Sequence, residues 1–341
     1  MHEPAFWYRP ASLMSLLLSP LSAIYGAVAS RRLQRKGLDA GIPVFCVGNY
    51  HLGGAGKTPT VLALVGLLRD LGETPVVLSR GYGGRLRGPV MVDLARHSAA
   101  DVGDEPLMLA RTVPVAVARE RIDGLALAKS QGASVIVMDD GFQNPAIVKD
   151  VSVIVIDAHR GLGNACVFPA GPLRAPLRAQ IDRTDTLMVI GEGHAADAVA
   201  AHVVARNKPV LKAQLRADDA TVMSLHGQRV LAFAGIGDPD RFFRTLRTNG
   251  IAVVAERAFA DHHPFTQSEI ETLVAEGRRG GLTLVTTEKD LARIGSSGPM
   301  PHWARGIVPF PVKLEFDNAV TLRKFVSDRL RLARDRRFRK T

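Results

Sequence analysis

The chain has 341 residues, 46% of them hydrophobic and 23% charged, which excludes a disordered chain or a collagen-like repeat. Lys and Arg number 44 against 33 Asp and Glu, a net charge of +11. Two cysteines, Cys46 and Cys166, are too few for a disulfide framework and fit a reducing cytosol.

The charge excess sits at the ends. Residues 1–40 hold five basic and two acidic side chains (+3), residues 321–341 hold nine and two (+7), and the 280 residues between hold 30 and 29 (+1). A nucleic-acid-binding domain spreads a basic face through its fold, so the near-neutral body argues against nucleic acid. Basic ends suit an anionic surface, and both DNA and a membrane qualify.

In chain order, residues 11–30 carry no charge, and Arg31, Arg32, Arg35 and Lys36 follow. Five serines and Pro20 dilute the apolar run, and the basic cluster lies on the wrong side for a signal peptide. The expectation is a helix in the membrane interface with Phe6, Trp7 and Tyr8 as an aromatic anchor; the alternative is a helix packed on the core. Short β-branched runs then alternate with helix-length segments: Ile42–Val47, Pro75–Leu78, Val113–Ala116, Val135–Met138 and Val151–Ile156, with helices such as Thr58–Leu71 and Arg119–Ser130. That alternation predicts an α/β protein with a P-loop-containing parallel sheet covered on both faces. Strand-like runs at Thr186–Ile190, Val230–Ala234, Ile251–Ala255 and Leu282–Thr286 extend the pattern into a second, smaller α/β unit. The predicted division is an N-terminal helix and basic flank (1–36), a P-loop domain (37–220) and a C-terminal α/β domain (221–341) ending in a basic amphipathic helix.

Strand Ile42–Val47 runs into a glycine loop whose Gly53, Gly54, Ala55, Gly56, Lys57 and Thr58 open a helix. Strand, glycine loop, Gly-Lys-Thr, helix is the context a P-loop requires. Backbone amides cradle phosphate oxygens, Lys57 reaches the β and γ phosphates, and the Thr58 hydroxyl suits Mg²⁺. Apolar Val135–Met138 ends in Asp139 and Asp140, the acid-ended strand that orders the metal in such proteins, and Gly141-Phe142-Gln143 follows. Loops after other strands add Arg80 and Tyr82 of SRGYGG and Arg174 of PAGPLR. These read either as turns or as a grip on an anionic sugar or phosphate. Asp104 and Glu105 of DVGDEP either cap a helix or accept a proton from an attacking hydroxyl. Asp261-His262-His263 suits a His that shares a proton with an Asp better than it suits a metal site. Thr286-Thr287-Glu288-Lys289-Asp290 closes another strand, either beside an interdomain cleft or as a capped helix start.

These motifs, GNYHLGGAGKTP (48–59), SRGYGG (79–84), DVGDEP (101–106), DDGFQ (139–143), RGLGNACVFPAGPLR (160–174), DHH (261–263) and TTEKD (286–290), resemble in content and order those of the tetraacyldisaccharide 4'-kinase family of Gram-negative bacteria. The resemblance implies transfer of the ATP γ-phosphate, with Mg²⁺, to the 4'-hydroxyl of an anionic glycolipid, a tetraacylated disaccharide 1-phosphate, at the cytoplasmic face of the inner membrane. No obligate protein partner is implied. It puts catalysis on Asp104 with His262 as partner, nucleotide binding on residues 53–58, the metal region on Thr58, Asp139, Asp140 and Glu105, and substrate contacts on Arg80, Tyr82, Gln143 and Arg174. Two departures stand out. His51 occupies a position where the family has a small residue, and Ala175 follows Arg174 where the family has Glu. A P-loop GTPase or metallochaperone-like NTPase is the alternative, but no guanine-reading Asn-Lys-x-Asp occurs.

Overall fold

The structure, a computed structural model, describes residues 3–10, 12–54, 56–295 and 302–339. Its strands are β1 (Val44–Gly48), β2 (Pro75–Ser79), β3 (Val90–Met91), β4 (Val115–Val117), β5 (Val135–Asp139), β6 (Val151–Asp157), β7 (Thr186–Ile190), β8 (Val210–Ala217), β9 (Arg229–Ala234), β10 (Ala252–Ala258), β11 (Thr283–Thr286), β12 (Val308–Pro309) and β13 (Val312–Phe316). The α-helices are α1 (Leu13–Leu33), α2 (Lys57–Asp70), α3 (Ala99–Val102), α4 (Asp104–Ala110), α5 (Arg121–Ser130), α6 (Leu177–Asp182), α7 (Asp197–Val204), α8 (Asp219–Leu225), α9 (Pro239–Thr248), α10 (Gln267–Gly280), α11 (Glu288–Ile294) and α12 (Ala319–Phe338).

Nine strands form one sheet in the order β13-β8-β7-β6-β1-β5-β2-β4-β3, and four form a second, β10-β9-β11-β12. Pairing is parallel except for β3 on β4 and β13 on β8, the two edges of the large sheet. The central strands read as unbroken apolar runs because both faces are covered. Phe45 and Val47 point into the core beneath α2, and Val44 and Cys46 point into the opposite core against α5 and α7. The small sheet is a like sandwich, with Phe242, Phe243 and Leu246 of α9 on one face and Ile270 and Leu273 of α10 on the other.

Two expectations need correction. The chain leaves the large sheet at Ala217, but residues 221–341 do not all stay with the small one. β13 returns to pair with β8, and α12 buries Leu322, Val326 and Leu330 in the large sheet's core. Nor is the basic face of α12 free. Arg329 lies 3.3 Å from Asp185, Arg334 is 2.7 Å from buried Glu73, and Arg337 is 2.9 Å from Asp150. Part of the +7 at the C-terminus therefore neutralises carboxylates of the body.

The N-terminus is corrected too. Trp7 is buried, donates its indole N–H to Pro169 O at 3.1 Å and packs edge-on against Phe168. It anchors the segment to the protein, not to lipid. Tyr8 donates to Glu3 at 2.6 Å beneath the Arg160 guanidinium. Helix α1 is continuous through Pro20, which cannot donate to Leu16 O; the Ser19 hydroxyl supplies that bond instead, at 2.7 Å. The face of α1 against the protein is small and polar (Ser15, Ser22, Gly26), and Leu13, Leu16, Leu17, Leu21, Ile24 and Val28 face outward. That is the reverse of a helix packed on a core.

Candidate active site

β1 lies between β5 and β6, and its C-terminal end opens into the glycine loop, a position where α/β sheets bind ligands. Gly53 and Gly56 hold φ of 100° and 91°, a region L side chains avoid, and this turns the loop onto the first turn of α2. Lys57 and Thr58 are the first two residues of that helix, whose free amides and partial positive charge favour phosphate. Gly54 abuts Gly237 of the other unit, at 3.5 Å from its amide to an added Cβ. Ala55 lies outside the described residues. The loop is braced from behind: Asn49 Nδ2 donates to Gly53 O (3.0 Å), Leu52 N to Pro172 O (2.9 Å), and Arg174 N to Tyr50 O (2.8 Å).

Asp139 ends β5 and Asp140 follows it. Asp140 accepts from Arg174 Nη1 at 2.8 Å and stands 3.9 Å from Lys57 Nζ. Gln143 accepts from the same guanidinium (3.3 Å) and donates to Asn49 O (2.8 Å). Burial raises both acids, but Lys57 and Arg174 hold Asp140 down at about 2. Asp139 is pushed up to about 7 by burial and by the charges of Glu105 and Asp140. Three carboxylates thus converge on the Lys57 end of the loop, and a divalent cation would relieve the repulsion gathered on Asp139. Among the described residues no three Asp, Glu, His or Cys side chains form a metal cage. Mg²⁺ does not need one, because it takes one or two carboxylates together with phosphate oxygens and water. The donor set fits a Mg²⁺-nucleotide. Ala175 is fully buried, so no acid enters from that position, and Glu105 is the third carboxylate.

Asp104 starts α4 yet is buried, and His262 reaches it from the other unit with Nδ1 at 3.1 Å from Oδ2. His262 itself sits at φ 59°, pinned by its amide to Gly235 O (3.1 Å). The Tyr82 ring lies 5.6 Å from the imidazole, exposed like Arg80 on the loop after β2. The sequence reading missed Arg293 and left Lys289 unassigned. Arg293 Nη2 donates to Asp104 Oδ2 at 2.5 Å and its Nη1 to buried Asp290 at 2.7 Å; Lys289 pairs with Glu105 at 2.8 Å. Burial works to raise the Asp104 carboxyl, but His262, Lys289 and Arg293 together hold it well below the usual range. Also missed was a cluster over the loop. The Glu3 carboxylate lies against Gly53, paired with Arg160, which is 3.9 Å from Asp238.

His51 is buried with Nδ1 2.6 Å from Leu52 O and, among the described residues, no partner for Nε2. Burial, with Lys57, Arg174 and Arg160 nearby, lowers its pKa to about 4, so the ring is neutral at pH 7. The unfolded chain binds this proton more readily, so His51 lowers stability as pH falls from its ordinary value toward 4. At pH 5 the loss relative to pH 7 is about 2 kcal/mol. Denaturant melts of wild type and His51→Asn at both pH values check this: the variant's loss should be smaller by that amount.

A glycine loop at the centre of a parallel sheet, a Lys-Thr helix start and an acid-ended neighbouring strand define a P-loop nucleoside-triphosphate-binding protein. The chain belongs to the tetraacyldisaccharide-1-P 4'-kinase family, whose sequence model matches residues 14–331. It is 67% identical over 338 residues to the tetraacyldisaccharide 4'-kinase of Bradyrhizobium diazoefficiens, covering 99% of each chain, and 64% identical to that of Rhodopseudomonas palustris over 338 residues, again 99% of each. Among solved structures it resembles LpxK of Aquifex aeolicus in complex with ATP, at 25% identity and a TM-score of 0.72, over 93% of this chain and all of that one.

Proposed function

We propose that the cleft between the P-loop and the Asp104–His262 pair is where this kinase works. The chain transfers the ATP γ-phosphate to the 4'-hydroxyl of a tetraacyldisaccharide 1-phosphate. What carries the residue assignment is one observation: buried Asp104, hydrogen-bonded by a His from the other unit, adjoins Glu105, whose carboxylate feels the charge of Lys57 in the nucleotide loop. Lys57 and the loop amides draw charge from the triphosphate. Thr58, Asp139, Asp140 and Glu105 would hold Mg²⁺, which supplies neutralisation of developing phosphate charge. Asp104 takes the 4'-hydroxyl proton and His262 orients it and shares the proton. Arg80 and Tyr82 meet the sugar phosphate, while Gln143 and Arg174 brace the loop. Purified protein given Mg-ATP and the disaccharide 1-phosphate lipid in detergent should yield a bis-phosphorylated product. Intact ATP binding with no such product would overturn the reading.

Arg293 sets the strength of the base. Without its guanidinium the Asp104 pKa rises toward the ordinary value, so the acidic limb of kcat/KM moves to higher pH. A pH–rate profile of Arg293→Gln checks this; an unmoved limb would detach Arg293 from the base.

The outward apolar face of α1 supports a seat in the membrane interface, where the acyl chains of the glycolipid reside. The helix is about 32 Å long and lies along the protein through its small-residue face, which favours lying on the bilayer over crossing it. The cytoplasmic face of the inner membrane, where ATP is available, is the proposed location.

A further inference from the structure

At the edge of the large sheet opposite the P-loop, where β6, β7 and β8 begin, lies a cavity of about 530 Å³. Its wall carries Arg35, Lys36, Lys149, Arg183, Lys208 and Arg329 against three acids, Asp39, Asp182 and Asp185. Each acid is already engaged: Asp39 with Arg337 (3.1 Å), Asp182 with Arg206 (3.2 Å) and Asp185 with Arg329 (3.3 Å). Lys208 donates to the carbonyls of Ile181 (2.7 Å) and Asp182 (2.9 Å) and so caps the C-terminal end of α6.

Four cations remain. Among the described residues, no carboxylate lies within ion-pair distance of Arg35, Lys36, Lys149 or Arg183. Lys149 is the telling one: it is half-buried, and its ammonium donates to the carbonyl of Asn144. Burial and the neighbouring Arg183 push its pKa below the ordinary lysine value. Positive charge held in a partly desolvated concavity without a counter-ion is costly, and an anion entering the cavity removes that cost.

We propose that this cavity binds the phosphate of an anionic phospholipid head group, at a site separate from that of the glycolipid substrate. The lipid source follows from position. Leu33, Gln34, Arg35 and Lys36 line the mouth and continue directly from α1. With α1 lying on the bilayer through the outward Leu21, Ile24 and Val28, its basic end sits at head-group depth beside the neighbouring lipids. The proposal is independent of the residue roles in catalysis.

Flotation of the full-length protein with phosphatidylcholine vesicles containing or lacking phosphatidylglycerol tests it. Wild type should prefer the anionic vesicles, and Lys149→Gln/Arg183→Gln should reduce that preference on the order of tenfold. Binding to phosphatidylcholine alone, which reads the apolar face of α1, should not change. The pair Arg278→Gln/Arg279→Gln on exposed α10 removes the same charge and should keep the preference. If the double variant at the cavity misfolds by circular dichroism, Arg183→Gln alone, at an exposed position, should still give a several-fold loss. Equal loss in the α10 pair would mean a diffuse surface field and overturn the proposal, as would no loss at the cavity. Inorganic phosphate that raises the melting temperature of wild type but not of the cavity variant, with no vesicle preference, would assign the site to soluble phosphate instead.

Discussion

Asp104→Asn is expected to lower kcat on the order of 10²–10⁴-fold while ATP affinity stays near that of wild type. The substitution keeps the shape and removes the capacity to accept a proton. Nothing in the nucleotide loop depends on Asp104, because that loop is held by Asn49, Pro172 and Tyr50. The fold should also tolerate the change. Arg293 loses one anionic partner but retains Asp290 at 2.7 Å and the Gly235 carbonyl at 3.1 Å. Single-turnover measurements with saturating Mg-ATP isolate the chemical step, and a nucleotide-binding titration shows that the site is intact. Because the two units contribute separately to the pair, His262→Ala should lower turnover as well, and the two losses should be far from additive. Near-normal turnover in Asp104→Asn would remove it as the base and leave positioning and charge neutralisation as the whole of catalysis.

The parts of this site that were legible in the sequence are those built from one stretch of chain. The P-loop is a strand, a turn and a helix start in succession, and its residues report their own geometry. So does Asp139-Asp140, at the end of an apolar strand. The Asp104–His262 contact spans 158 residues, so no spacing rule reaches it, and the family resemblance supplied it. Arg293 had no signal beyond lying three residues after Asp290 on α11, where one helix face carries both. The edge strands were missed for a related reason. In the edge strand β13 and its neighbour β8, Val-Lys-Leu-Glu-Phe and Val-Leu-Lys-Ala-Gln-Leu-Arg-Ala mix polar with apolar residues because this margin of the large sheet is partly exposed. Trp7 shows the opposite failure. An aromatic triplet beside an apolar run suggests a membrane belt, but the Phe168–Pro169 loop that buries it lies some 160 residues away.

Ending the chain at Asn318 should abolish folding rather than merely weaken membrane binding. The basic terminal segment reads in isolation as a surface tether that could be removed cleanly. In the fold it is a structural helix. Leu322, Val326 and Leu330 are nearly or wholly buried against the large sheet, and uncovering three such side chains costs about 5–9 kcal/mol at 1.5–3 kcal/mol each. Removal also strips Glu73 and Asp150, both buried, of Arg334 and Arg337. A domain's whole stability is about 5–15 kcal/mol, so the loss is of the same size as the reserve. The truncated protein should therefore be insoluble or molten, with no cooperative transition by circular dichroism or calorimetry. The charges separate from the packing in a milder variant, Arg323→Gln/Arg331→Gln, which leaves the apolar face and the Glu73 and Asp150 pairs in place. That variant should melt within a few degrees of wild type, since exposed charges contribute little to stability. A soluble, cooperatively melting truncation would mean that α12 is dispensable and that its apolar face is not part of the core.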